Sequence, residues 1–558
     1  MASSPAASGT PASGGVTRSE HGHFIRGTAV MSLLTLASRV LGLVRDVASA
    51  SIFAAGAEWD AFVFAFRVPN LFRKLFAEGA LAAAFIPVFA EYEELKSREE
   101  TWRLTSQVGT ALGAVLIALL LLCEAAVLIA LAAHPGPRWQ LALALTALLL
   151  LYMPLVCMTS LAGAVLNAMK HFFTPALAPV ILNMCWIAAM VVLAPMVTGN
   201  ASGRVFVVAG GILVAGVAQL GAQVLALRRR GFRFRIGLDL KDPGLRRVAA
   251  GFLPMLLGLA AFQVNVLLDG FIALLLSGPP GRGAFSVMGM SFSRPMLTGA
   301  NSVLYYANRL MQFPLGVFGV SLATATFPIL SALAARRDWK SFSRTLTDGL
   351  RLGTFVALPA AVGLSLLAQP TVELLFEHGR FTPAMTGRTV AALMAYCAGI
   401  WAYCSQQVLL RGFYSLRDTR TPLRVGLAAV GLNLVLNLVL VWPLAECGLA
   451  AATAISASAQ FAVLYWILAR RGYLTGQKPL LWTLLRSGAC ASLMAGAVWA
   501  VLRLMPYGAS AGGFWMRAAR VVLPVCAGAA VYLGSAVLLR SPELKQVLGA
   551  LARRRSGG

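Results

Sequence analysis

The chain has 558 residues, 58% of them hydrophobic and only 12% charged, with a mean hydropathy of +0.76. Soluble domains carry roughly 25% charged residues, which excludes a water-soluble enzyme, a disordered chain and a coiled coil. Lys and Arg number 47 against 21 Asp and Glu, a net of +26. In so apolar a chain this reads as cationic anchoring of loops at one membrane face. No basic segment is paired with the soluble fold that a nucleic-acid partner would need.

Residues 1–26, rich in Ala, Ser, Gly and Pro, are expected to form a disordered tail. Apolar segments long enough to cross about 30 Å of hydrocarbon then recur. They lie at 27–53, 60–90, 104–133, 139–167, 174–196, 204–227, 247–277, 300–334, 350–369, 387–411, 423–442, 447–470, 480–503 and 516–540. Each must be helical, because lipid offers no partner to an open backbone. The fold class is therefore an all-α polytopic membrane protein of fourteen transmembrane helices. Connections on the N-terminal side of the membrane hold about 31 Lys and Arg, and those on the other side about 8. Both termini, including the tail 541–558, are thus expected in the cytoplasm. The block 228–246, with Arg228, Arg229, Arg230, Arg233, Arg235, Lys241 and Arg246, is the strongest.

The sequence also reads as a duplication. Lys170 stands five before Pro175 of a Thr174-Pro175 pair, and Arg417 five before Pro422 of Thr421-Pro422, at an offset of 247. Ala65-Phe-Arg67 matches Ala307-Asn-Arg309 at an offset of 242, and Pro87 matches Pro328 at 241. Two parallel repeats of six helices follow, 27–227 and 247–471, with the last two spans, 480–540, left over.

Charges inside spans are costly and ordinarily face a cavity or a partner. In the first span Ser38, Arg39, Gly42, Arg45, Asp46 and Ser49 fall on one helical arc of about 120°. Gly42 leaves room for close approach. In the second span Asp60, Arg67, Lys74 and Glu78 share a face until Pro69 disturbs the phase, so whether Arg73 or Lys74 points inward stays open. Arg309 adds another cation. The excess of cations predicts a positive cavity whose natural ligand is a multivalent anion, since the guanidinium fork suits phosphate. Asp269, with Asn265 one turn earlier, is a lone intramembrane acid: a cation or proton site, or a hydrogen-bonded structural acid. Asn433 and Asn437 read as interhelical hydrogen bonds. Glu373, Glu377 and His378 read as surface loop. The eight cysteines have no metal-ligand spacing, no nucleotide or hydrolase motif is present, and no resident cofactor or metal is expected. A transporter is indicated, not an enzyme.

The stretch Ala37-Ser38-Arg39-Val-Leu-Gly42-Leu-Val-Arg45-Asp46, then Asp60-Ala-Phe, then Arg67-Val-Pro69-Asn70-Leu-Phe-Arg73-Lys74-Leu-Phe-Ala-Glu78-Gly79-Ala, closely resembles the opening of the lipid II flippase family MurJ (MviN). Tyr306-Ala-Asn-Arg309-Leu-Met-Gln-Phe-Pro314, Leu375-Phe-Glu-His-Gly379-Arg-Phe381 and Phe413-Tyr414 extend the likeness. The resemblance implies a member of the multidrug/oligosaccharidyl-lipid/polysaccharide exporter superfamily, with two six-helix lobes around a central cavity. It implies undecaprenyl-diphosphate-linked disaccharide-pentapeptide as cargo, moved between leaflets of the bacterial inner membrane by alternating access for peptidoglycan synthesis. It implies substrate contacts from Arg39, Arg45, Arg73 and Arg309, with Ser38 beside them, and cavity acids Asp46, Asp60 and Glu78. It also implies a tail groove at spans 13–14 and sodium or proton coupling, with Asp269 and Asp418 as candidates, driven alongside the membrane potential. Membrane lipids and cell-wall synthesis or division proteins are the expected partners. An exporter of oligosaccharide-lipid or drugs from the same superfamily is the alternative.

Overall fold

A backbone in lipid must satisfy its own hydrogen bonds, and the computed structural model is helical almost throughout. It describes residues 18–77, 80–279, 284–287, 290–474, 478–505, 513–546 and 549. In chain order the helices are α1 Arg18–Phe53, α2 Ala57–Phe72, α3 Ala80–Leu95, α4 Arg98–Ala132, α5 Pro137–Ala168, α6 Phe173–Val197 and α7 Ala201–Arg228. There follow α8 Pro243–Leu275, α9 Ala300–Ala335, α10 Trp339–Leu366, α11 Ala368–Leu375, α12 Pro383–Cys397 and α13 Ile400–Ser415. The chain ends with α14 Arg420–Leu444, α15 Glu446–Arg470, α16 Lys478–Leu504 and α17 Phe514–Leu538.

Ten of these, α4–α7, α9, α10 and α14–α17, are long and apolar enough to cross a membrane. The other four expected spans coincide with α1, α2 with α3, α8, and α12 with α13. Arg39, Arg45 and Asp46 lower the hydropathy of α1. The α2–α3 and α12–α13 pairs are interrupted, and the apolar stretch of α8 is the short Gln263–Leu275. The helix of α1 begins at Arg18, inside the stretch expected to be a flexible tail, while residues 1–17 lie outside the described residues.

The helices gather into two lobes. In the first, α2 packs on α5, α1 on α6, and α5 and α6 on α7; in the second, α9 packs on α12 and α13, and α14 on α15. Helix α8 touches α2 and α3 on one side and α14 on the other, while α16 and α17 pair with each other and lean on α10. Between α8 and α9, where the sequence promised only a loop, Ala284–Val287 pairs antiparallel with Met290–Ser293.

Three backbone features repeat at the offsets that relate the two halves. Lys170 and Arg417 both adopt left-handed φ, 58° and 59°. His171 N–H returns to the Leu166 carbonyl at 2.8 Å and Asp418 N–H to Phe413 at 3.0 Å, the same helix-ending bond. A π turn spans Arg73–Ala77 after α2 and another spans Leu315–Gly319 within α9. Those turns are 242 residues apart, as are Arg67 and Arg309.

The C-terminal tail starts with an anchor. The buried Glu543 carboxylate accepts Nη2 and Nε of Arg351 at 2.8 and 3.1 Å, the Thr483 hydroxyl at 2.5 Å and the Ser541 hydroxyl at 2.7 Å. It ties the base of the α16–α17 pair to α10.

Candidate functional site

The polar arc of α1 meets α9 across the seam between the lobes. Asp46, 1% exposed, is the hub. Its Oδ1 accepts Nε and Nη2 of Arg45 at 3.1 and 2.8 Å and the Tyr305 hydroxyl at 2.8 Å. Its Oδ2 accepts Nε of Arg309 at 2.7 Å. Arg45 is itself buried: Nη1 donates to Asn183 at 3.1 Å, and the guanidinium lies 4.4 Å from the Trp186 ring centre. A cation–π face and a shared carboxylate make that burial tolerable. Asn183 turns its amide nitrogen to the Ser38 carbonyl at 3.0 Å, so Ser38 joins the cluster through its backbone.

The two arginines that remain accessible face each other's helix. Arg39 is exposed and its guanidinium nitrogens lie 3.8 and 3.9 Å from where a Cβ on Gly316 would stand. The side chain of Arg309 is 41% exposed, and its Nη2 lies 3.9 Å from the corresponding point on Gly42. Each glycine therefore floors the guanidinium of the opposite lobe, though a methyl at Gly42 would make only ordinary contact. Two cations on one carboxylate, with Arg39 beyond, leave the seam positive.

Arg73 is half-buried on the first π turn, four residues after Pro69, and donates Nε to the Asn70 side chain at 3.0 Å. That turn removes the regular phase on which the choice between Arg73 and Lys74 depended. Arg67 reaches from α2 to the Val266 carbonyl of α8 at 3.4 Å and packs on Gly270. Glu78 lies outside the described residues.

Asp60 stands apart from the arginines of the seam. It is fully buried, its Oδ1 accepting the backbone N–H of Ser302 at 2.8 Å and the Ser302 hydroxyl at 2.7 Å. Its Oδ2 accepts the Gly299 N–H at 2.7 Å and Arg138 at 3.3 Å, and its carbonyl accepts the Asn301 amide at 3.0 Å. Gly299 is the N-cap of α9 with φ 93° and has no side chain of its own, so a carboxylate from the other lobe caps the helix. Around it the lobes meet backbone to backbone: Gly299 on the Ala55 carbonyl, Gly379 on Ser51, and Arg380 N–H to the Ser51 carbonyl at 2.9 Å. Nothing local in the sequence signalled this closure, because its partners are backbone groups some 240 residues away.

Asp269 accepts the Asn437 amide at 2.6 Å, and the same Asn437 nitrogen reaches Asn433 at 2.9 Å, with Ser456 next in the chain at 3.3 Å. The Asn437 Oδ1 is buried and has no hydrogen-bond partner among the described residues. Asp418 is elsewhere. It caps α14 through Thr421 N–H at 2.9 Å and the Thr421 hydroxyl at 2.6 Å, and pairs with Arg471 at 2.7 Å. Sixteen residues of helix, about 24 Å, separate Thr421 from Asn437, so the two acids cannot hold one ion.

The clasp on Asp418 has a counterpart in the first lobe. His171 lies 2.6 Å from the Thr174 hydroxyl and 2.9 Å from Arg230. Burial and the Arg230 charge hold its pKa below the usual histidine value. Burial pushes Asp418 up, but Thr421 and Arg471 outweigh it and hold the carboxyl below its usual range. An apolar crevice of about 280 Å³, lined by Phe461, Tyr465, Leu480, Leu481 and Leu484, opens between α15 and α16; the expected tail groove was drawn one helix further on, at α16 and α17.

Residues 49–516 match the family described as lipid II flippase MurJ. A relative from Vibrio cholerae, named a probable lipid II flippase MurJ, is 34% identical over 92% of this chain and 96% of its own length. One from Burkholderia cenocepacia, named lipid II flippase MurJ, is 32% identical over 81% of this chain and 84% of its own. In fold, the chain is similar to a lipid II flippase MurJ in an inward closed conformation, with a TM-score of 0.72 at 23% identity over 92% of this chain and 99% of the other. It is also similar to an inward-facing multidrug MATE transporter of the MOP superfamily, with a TM-score of 0.61 at 14% identity over 83% and 98%. The chain belongs to the lipid II flippase MurJ family.

Proposed function

We propose that this chain moves lipid II from the inner to the outer leaflet of the bacterial cytoplasmic membrane by rocking its lobes, without making or breaking a covalent bond. The observation that carries the reading is the reciprocal placement of Arg39 over Gly316 and Arg309 over Gly42. Two accessible forks on opposite sides of a moving seam can grip a diphosphate together and lose their joint hold when the lobes shift. Arg45 is a positioning residue: buried on Asp46, it keeps that acid from neutralising Arg309 alone. Arg73, on its π turn, is the third cation offered to the head group.

With both termini cytoplasmic, as the loop charges indicate, the Asp60 closure is the outer gate. We take the lobes to span 27–227 and 247–471, the remaining pair of spans, 480–540, to shelter the polyprenyl tail, and cell-wall synthesis or division proteins to be partners. An ion gradient or the membrane potential would drive the step. The Asp269–Asn433–Asn437 group suits a small cation, because the unpartnered Asn437 oxygen and the Asp269 carboxylate are oxygen donors facing one site.

The test is translocation of lipid II by the purified chain in vesicles, read as its exposure to an impermeant reagent, with sodium, proton and electrical gradients imposed separately. Appearance of lipid II outside, lost in an Arg39→Ala, Arg309→Ala double variant that stays folded, is expected. No translocation under any gradient, or equal transport by the double variant, would overturn the proposal.

A further inference from the structure

We propose that the segment joining α7 to α8, residues 229–242, is an interfacial anchor that binds anionic phospholipid at the membrane face from which α4 rises.

Depth is the first argument. Residues 111–132 of α4 contain one charged residue, Glu124, and at 1.5 Å per residue they cover about 33 Å, the whole hydrocarbon layer. Thr110 therefore sits where hydrocarbon begins. The segment climbs α4 to that level. Arg98 donates to the Arg230 carbonyl, Trp102 stands 4.9 Å from Phe232, and Arg235 N–H reaches the Ser106 hydroxyl at 3.4 Å. Phe234 lies over Gly109, where a Cβ would come within 2.9 Å of the ring, and Gly237 N–H reaches the Thr110 hydroxyl at 3.5 Å. The chain then turns back: Arg246 Nε holds the Leu240 carbonyl at 2.9 Å, and Gly244 fits beneath Tyr92.

Chemistry at the apex is the second argument. Phe234, Ile236, Leu238 and Leu240 are 49, 87, 49 and 68% exposed. In water four such side chains in seven residues would be a liability; at the edge of hydrocarbon they have a partner. Arg233 and Arg235 alternate with them, and Arg228, Arg229, Arg230 and Lys241 flank them. The two acids of the segment are taken up locally, Asp239 by Lys241 N–H at 2.9 Å and Asp242 by Leu245 N–H at 3.0 Å as the cap of α8. Arg228, Arg229, Arg233 and Lys241 form no ion pair among the described residues, and Arg235 only an exposed one with Glu99 at 3.9 Å. Apolar insertion together with a basic cluster is the pair of signals that holds a segment on an anionic surface. Because this segment is also the connector between the lobes, anionic lipid would set the depth of the hinge itself.

The experiment uses the full chain with Cys526→Ser and a nitroxide on Ile236→Cys, reconstituted in phosphatidylcholine vesicles with or without phosphatidylglycerol. Collision with oxygen, which partitions into lipid, is compared with collision with a water-soluble nickel chelate. With phosphatidylglycerol the label should favour oxygen, and Arg233→Gln with Arg235→Gln should shift the inserted population back by about 30-fold, the factor expected for two surface charges. Those two side chains are exposed, so an unchanged melting temperature in phosphatidylcholine verifies that the variant is folded. A label open to nickel in both lipids overturns the proposal. So does insertion independent of phosphatidylglycerol, or protection seen only in native membranes, which would signify a protein partner.

Discussion

Asp60 of α2 holds Ser302 of α9 twice, by its backbone N–H at 2.8 Å and its hydroxyl at 2.7 Å, so one lobe supplies the cap for a helix of the other. Replacing it with Ala leaves the Gly299 and Ser302 N–H groups and Arg138 without their acceptor, each buried loss being worth about 1–3 kcal/mol. Asp60→Ala should therefore loosen this end of the seam. A disulfide engineered between positions 51 and 380, adjacent in the closed state, should form less completely in that variant, and Asp60→Asn should lie between.

Arg45 and Asp46 are both buried, so removing one strands the other. Arg45→Ala should destabilise the protein by about 3–5 kcal/mol, the penalty for a buried charge that loses its partner. Adding Asp46→Asn should recover much of the melting temperature but not transport, because Arg309 then loses its anchor. Recovery of both would remove Asp46 from the mechanism.

Arg39→Lys retains the charge and gives up the fork. The side chain is exposed, so stability should hold within about 0.5 kcal/mol, while lipid II translocation should fall by tenfold or more, about 1.4 kcal/mol. Wild-type transport by this variant at equal expression would remove the bidentate role.

The two loop clasps should answer differently to acid. His171 has a depressed pKa when folded, so its contribution to stability is complete above the unfolded value of about 6.5 and is lost as the pH falls below it. Asp418, also depressed, keeps its contribution until the pH drops below about 4. Melting temperature measured from pH 7.5 to 5 should decline less in His171→Gln than in the parent chain, with no such difference for Asp418→Asn.

What the sequence revealed and withheld follows from where each interaction is encoded. Arg39, Arg45, Asp46 and Arg309 were legible because an ion in a hydrophobic helix is expensive and one helical arc gathered three of them. The duplication was legible from Thr174-Pro175 and Thr421-Pro422, whose loops indeed share a left-handed residue. The role of Asp60 was not, since Gly299 and Ser302 offer only N–H groups and a hydroxyl that no spacing rule links to residue 60. Arg73 was undecidable because a π turn shifts the helical phase at that residue. Glu543 was missed for a similar reason: a lone acid in a basic tail gives no sign that Arg351 and Thr483 wait for it.

The paired π turns carry a historical consequence. A π turn is an α-helix with one residue inserted, and each insertion rotates everything beyond it by about 100°. Finding the same surplus residue at Arg73–Ala77 and Leu315–Gly319 dates it to the single six-helix ancestor, before the gene doubled. Neither copy has since been able to delete it, because straightening either helix would swing its half of the cationic seam out of register with the other.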